Sequence, residues 1–187
     1  MIFIRSRPLP CPHYSDHREV LRQDFQNRCA YCLTREGHFP SGQANFQIDH
    51  HRPQKGKYAR PDLENVYANL YWTCHACNRR KASTWPSPEQ EVAGQKWIDP
   101  CAAWGDHDEH WRIAPDGEIT WLTPTGEYTV KKLRLANLKR HWQNLHRWQR
   151  KREELMRRLP EVPPSSERDE IEQMLRELRE LIEPPVI

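Results

Sequence analysis

Two hydrophobic periods alternate along this chain. In the stretch 18–27 (REVLRQDFQN), Val20, Leu21 and Phe25 give one apolar side, and their spacing predicts a short helix. A polar, glycine-containing loop covers 34–45. Phe46 and Ile48 then alternate with Gln47 and Asp49, the period of two expected of a half-buried strand, which Arg52 and Pro53 end. After a Lys/Gly/Pro loop, 63–68 reads as a turn or short helix and 69–73 as a second strand. A helix follows over 74–83 and is stopped by Pro86 and Pro88. The segments 111–113 and 119–122 flank Pro115, Asp116 and Gly117, which predicts a β-hairpin. The tetrapeptide at 123–126 (TPTG) reads as another turn.

The last third changes to the helical period. Leu135, Leu138, Trp142, Leu145, Trp148 and Leu155 recur at three- and four-residue steps, with one seven-residue gap, and predict a long helix over 129–159. A break (PEVPPSS) separates it from a second helix, for which Ser166 and Asp169 form a capping pair. Ile171, Met174, Leu175, Leu178 and Leu181 give that helix one apolar face. No repeat and no low-complexity tract occurs.

Composition bounds the fold. Charged residues make up 29% of the 187 positions, and the mean hydropathy is −1.00, so the core is modest. Eight tryptophans offset this, since each buries a large area. The length fits one domain, or one small domain with an appendage. The opening MIFIRSRPLP has too short an apolar run for a secretory segment, and no run of about 20 apolar residues exists. The expectation is a cytoplasmic chain without a membrane span. In that setting six cysteines point to metal ligation rather than disulfides, with Cys11 and Cys101 as free thiols. The formal charge of +3 hides an asymmetry: 131–159 carries eleven Lys/Arg against two Glu, and 160–187 carries three Arg against eight acids.

The chemistry concentrates between residues 29 and 81. Cys29 and Cys32 form one Cys-x-x-Cys pair, and Cys74 and Cys77 form another. Each such turn delivers two sulfurs, and four thiolates suit tetrahedral zinc. The 41 residues between the pairs leave room for two strands. Between them lie Asp49 and His50, a hard oxygen donor beside a base whose ordinary pKa of about 6.5 lets it accept a proton at neutral pH. In an ideal strand their side chains point to opposite faces, so a shared site requires the strand to end or bend there. Asn78, in the first turns of the following helix, is placed to bring a carbonyl oxygen from the other side. Each of Asp49, Asn69 and Asn78 also has a plain reading as a turn cap.

These residues resemble the HNH endonuclease family. The chain has Asp49-His50-His51-Arg52-Pro53, then Asn69-Leu70 five residues before Cys74, then Cys74-His75-Ala76-Cys77-Asn78-Arg79-Arg80-Lys81. The resemblance covers roughly residues 25–85 and implies a ββα-metal fold that hydrolyses phosphodiester bonds. It implies Asp49 and Asn78 as ligands of a catalytic divalent ion, Mg²⁺ or Mn²⁺ for an oxygen-rich site. It further implies His50 as general base, Asn69 as the residue that orients the His50 loop through backbone hydrogen bonds, and the four cysteines as ligands of a structural Zn²⁺. The third family letter is Asn78 here rather than His. His51 is open to base, ligand, phosphate-contact or packing roles, and His75 to structural or phosphate-facing ones. A lower-grade similarity links Ile98-Asp99-Pro100-Cys101, Asp116-Gly117 and the 126–130 segment to small bacterial HNH proteins found beside ATPases or retrons in anti-phage defence.

The expected architecture is therefore α+β: a zinc-stapled ββα core over 1–90, a β-hairpin extension over 91–128, and a basic-then-acidic helical hairpin over 129–187. DNA is the expected substrate. Arg79, Arg80, Lys81 and His51 are candidates for phosphates near the cut, and Lys131, Lys132, Arg134, Lys139, Arg140 and Arg147 are candidates further away. The C-terminal helices would offer a face to a second copy or to a protein partner such as an ATPase. Two other functions fit the same residues: an idle zinc-stapled nucleic-acid-binding or adaptor module, and an RNA-directed nuclease.

Overall fold

The computed structural model describes residues 2–6 and 8–183. The fold is a mixture of helices and two small antiparallel sheets. Helix α1 (Arg18–Asp24) stops short of the expected residue 27, because Gln26 and Asn27 both take positive φ, 52° and 57°, and turn the chain into the first cysteine pair. Strand β1 (Phe46–His50) pairs with β2 (Leu70–Cys74), with Phe46 opposite Cys74 and His50 opposite Leu70. β2 is buried along its whole length. Helix α2 (His75–Lys81) begins directly after it and ends where Ala82 adopts φ 46°. His75, Asn78 and Lys81, three residues apart on one side of α2, face β1.

Pro88, expected to stop the preceding helix, instead opens a new one, six residues after α2 has ended at Ala82. Ser87 and Gln90 form a reciprocal capping box at the start of α3 (Pro88–Val92). A short helix α4 (His107–His110) leads into the expected hairpin of β3 (Trp111–Ile113) and β4 (Ile119–Trp121). Gly117 sits at its turn with φ 76°, and a Cβ there would meet the Lys139 carbonyl at 2.2 Å. The TPTG segment is not a separate turn. Thr123 accepts a hydrogen bond from the Gly126 amide, Pro124 fills the first helical position, and α5 runs Pro124–Leu133. The long helix expected over 129–159 is also interrupted. Arg134 takes a left-handed conformation (φ 52°), a 3₁₀ turn spans Leu135–Leu138, and α6 covers Lys139–Arg158.

Helix α7 (Ser166–Ile182) is capped by Ser165, one residue before the expected Ser166, through the Arg168 amide. It packs along α6. The stripe it buries is also shifted. Ile171 and Ile182 are buried and Leu175 and Leu178 half-buried, while Met174 and Leu181 are exposed. The far end of α7 returns to the N-terminal half: His38 Nε2 lies 3.0 Å from the Leu181 carbonyl, and Arg35 lies 3.7 Å from Glu183.

One continuous core runs from Phe3 through Phe25, Tyr31, Tyr71, Trp72 and Trp97 to Leu133, Leu135 and Trp142. The β3–β4 hairpin and α5 therefore share the core that carries the cysteine pairs. Trp72 donates to the buried Glu36 carboxylate at 2.7 Å, which Arg22 also holds at 2.9 Å. Among the described residues, no helix is long and apolar enough to cross a membrane.

Candidate metal centre and histidine site

The turn of the first cysteine pair is built by backbone. The Cys29 carbonyl accepts from the Leu33 amide, Leu33 adopts φ 60°, and the Ala30 amide donates to Trp72 at 2.8 Å, fixing the pair against β2. The second pair sits where β2 becomes α2. The four sulfurs of Cys29, Cys32, Cys74 and Cys77 consequently come within 4.8 Å of one another, all buried. Cys32 and Cys74 are 3.9 Å apart. Zinc–thiolate bonds of about 2.3 Å give a tetrahedral edge of about 3.8 Å, so this cluster has the size a zinc ion requires. Hydrogen bonds from the other three thiols pull the Cys32 thiol well below its usual range, while burial pushes Cys29 well above. Four thiols this close cannot all ionise alone, and a dication removes that conflict. Cys11 and Cys101 lie outside the cluster, and burial pushes the Cys101 thiol up to about 11.

The strand end differs from the simple expectation. β1 continues through His50 without a bend, so Asp49 and His50 keep opposite faces. Asp49 points inward, 4% exposed. Its carboxylate accepts from Tyr31 Oη at 2.7 Å, and Lys81 Nζ lies 3.1 Å from both oxygens. Lys81 is 0% exposed and also donates to the His50 carbonyl at 2.7 Å. Here Lys81 corrects the sequence expectation: it holds Asp49 and cannot face a phosphate. Asp49 in turn is not presented to an ion in solvent, and its carboxylate and the Asn78 amide bind different partners. Asn78 Nδ2 donates to Gln47 Oε1 at 2.7 Å, and Gln47 Nε2 lies 3.2 Å from His75 Nδ1. The donors put forward for a catalytic Mg²⁺ or Mn²⁺ do not fit that ion in this arrangement.

His50 lies on the other face. Its ring packs edge-on against Tyr14 at 4.7 Å, and Nε2 lies 2.9 Å from the Glu64 carbonyl. Gln54 Nε2 lies 3.1 Å from the same nitrogen, so an acceptor (the Glu64 carbonyl) and a donor (the Gln54 amide) both meet His50 at Nε2. Burial lowers the His50 pKa below its ordinary value, which keeps the ring neutral at pH 7. The following loop is clamped by Asn69. Its Oδ1 accepts from the Arg52 amide at 2.7 Å and its Nδ2 donates to the Arg52 and Leu63 carbonyls, while the His51 amide donates to the Asn69 carbonyl at 2.8 Å. His51 is packed: it stacks on Tyr71 at 4.7 Å and meets Trp85 edge-on. Burial, then the charges of Lys81, Arg5 and Arg52, hold its pKa well below the usual range.

Tyr14, Arg18, Gln47, Ile48 and Asn78 line an open cleft of about 390 Å³, and Tyr14 also packs on the His50 ring. Of the three basic residues that end α2, only Arg79 is exposed; Arg80 donates to the Leu133 carbonyl at 2.8 Å. Lys131, Lys132, Arg134, Lys139, Arg140 and Arg147 are exposed, with Lys131 paired to Glu127 and Lys139 to Glu118. Sequence reasoning missed Tyr31, Gln47 and Tyr14. Only Tyr31 carried a signal, lying inside the first cysteine pair, next to Cys32. Comparison with protein-family models, with curated proteins and with solved structures finds no match to this chain.

Proposed function

We propose that this chain is an HNH-type endonuclease that hydrolyses phosphodiester bonds of DNA, with zinc in the four-cysteine cluster as its structural staple. The observation that carries the reading is the neutral His50, packed on the Tyr14 that lines an open cleft, with Asn69 clamping the loop that follows it. In this reading the neutral His50 ring takes a proton from the attacking water. The water oxygen bonds to phosphorus as the bridging P–O bond breaks, and the 3′-oxyanion released takes a proton from solvent, leaving a 5′-phosphate and a 3′-hydroxyl. Arg79 on α2 contacts the phosphate. Participation of a divalent ion requires Lys81 to withdraw from Asp49.

The Asp49–Lys81 contact favours a second reading, in which the unit is an idle nucleic-acid-binding or adaptor module. One assay separates them: cleavage of plasmid, linear duplex, single-stranded DNA and RNA in Mg²⁺, Mn²⁺ or EDTA, by wild type and His50→Ala of equal zinc content. Ion-dependent cleavage of DNA that is lost in His50→Ala supports the nuclease. Cleavage confined to RNA moves the substrate. No cleavage in any arm leaves the idle module.

A further inference from the structure

The end of α7 is fastened to the N-terminal half through a histidine. His38 closes the 3₁₀ turn Glu36–His38, and its Nε2 lies 3.0 Å from the Leu181 carbonyl, 143 positions away in sequence. A carbonyl only accepts, so Nε2 carries the proton and Nδ1 of the neutral ring is an acceptor. Nδ1 is buried and has no partner among the described residues. The turn is fixed from the other side, because Glu36 accepts from Trp72 and Arg22. Beyond Leu181, Ile182 and Glu183 wall a cavity of about 360 Å³, together with Leu135, Trp142 and Leu145.

The groups around this ring leave no room for a second proton. Arg28 and Arg35, joined by a backbone bridge, bring positive charge from the segment before the turn. That charge is in excess: burial and then Arg35 lower Arg28 itself to about 10. From α6, the His141 ring meets His38 at 4.8 Å and 70°. From α7, the acid Glu183 lies 3.7 Å from Arg35 and is taken up there. His146 and Asp108 line the same cavity, and Cys32 on its wall acts on His141 and not on His38. Protonation of His38 would place an N–H at Nδ1, buried and without an acceptor, beside two guanidinium groups. The carbonyl at the helix end favours a cation, but burial outweighs it, and Arg35 and Arg28 add to burial, so the His38 pKa is lowered. The sign follows. A detached, solvated ring takes its proton at about pH 6.5, whereas the attached ring resists it, so the contact is at full strength above that pH and weakens as pH falls toward the lowered value. We propose that His38 is an acid-sensitive latch, whose protonation frees the last turn of α7 from the 36–38 turn and opens the cavity that Ile182 and Glu183 wall. The proposal does not depend on nuclease activity.

Amide hydrogen exchange of the full-length, zinc-loaded protein tests it, at about pH 7.5 and about pH 5 and corrected for intrinsic rates, with zinc content measured throughout. Protection of the Ile182 and Glu183 amides should fall at least about threefold on acidification in wild type, with no matching fall in β1 and β2. In His38→Gln the side-chain amide replaces the Nε2 donor and cannot titrate, so protection at the end of α7 should hold at both pH values. ¹H–¹⁵N spectra of the wild-type rings give a readout that stands if the variant fails to fold: His38 should titrate below about pH 6.5, in step with the loss of protection. Unchanged protection in wild type overturns the proposal, as does a fall of equal size in His38→Gln or a fall shared by the whole core. A fall that persists in His38→Gln and disappears in His141→Gln overturns it too, by moving the switch to His141. Titration of His38 at or above its ordinary pKa also refutes it.

Discussion

Replacing Lys81 by Met gives a measurable test of the buried Asp49 contact. The ammonium is fully buried, 3.1 Å from both carboxylate oxygens, and it is also the donor to the His50 carbonyl. Methionine matches the length but leaves Asp49 with Tyr31 alone and the carbonyl without this donor. Breaking one side of a buried pair costs about 3–5 kcal/mol, against a total stability of about 5–15 kcal/mol. For a chain of this size that is a fall in Tm of about 6–20 °C. Asp49→Asn in the same background should recover part of it, because no uncompensated charge remains, giving a coupling of about 0.5–3 kcal/mol. Thermal unfolding followed by circular dichroism at constant free zinc measures wild type, Lys81→Met, Asp49→Asn and the double variant. A Lys81→Met variant within about 1 kcal/mol of wild type would show that Lys81 does not neutralise a buried charge. The same variant also probes function. If Asp49 serves a divalent ion, Mn²⁺ should stabilise Lys81→Met more than wild type, by RT ln(1 + [L]/Kd). An equal Mn²⁺ effect on both proteins removes Asp49 from the ion-binding proposal.

Three further outcomes follow from the geometry. Cys32→Ser or Cys74→Ser should lose zinc and the folded core, since structural zinc in small sites contributes about 10–16 kcal/mol; folded, metal-free protein by zinc analysis and circular dichroism would refute this. The depressed pKa of His51 has a definite sign: its contribution to stability is full above about pH 6.5 and is lost as pH falls toward the folded value, so His51→Phe should flatten the acid side of a Tm–pH profile, and an unchanged slope counts against it. For DNA binding, Arg79→Ala should lower the slope of log affinity against log salt by about 0.9, the share of one phosphate, without a change in Tm; an unaltered slope removes Arg79 from the contact.

The sequence carried the strands, the cysteine pairs and the β3–β4 hairpin because each rests on local rules: alternation, ligand spacing and a turn with glycine. It misplaced the ends of helices where one residue type serves two rules. Thr123-Pro124 reads as a turn and Pro88 as a helix stop, yet proline is also well suited to the first helical position, and the preceding hydroxyl decides between the two by capping. The left-handed Arg134 could not be read from a basic residue in a helical pattern; Leu133 and Leu135, on either side of the break, are both 0% exposed. Lys81 is the instructive failure. In the string Arg79-Arg80-Lys81 three like charges suggest a single phosphate-facing patch, but successive helical residues are about 100° apart. The helix therefore sends Arg79 to solvent, Arg80 to the end of α5, and Lys81, three residues after Asn78, down onto β1. Composition reports the charge, and only the helix phase assigns it a partner. The same phase puts Asn78 and Lys81 on one face over Gln47 and Asp49. Any ion that enters between α2 and β1 must therefore compete with an ammonium group the fold already supplies.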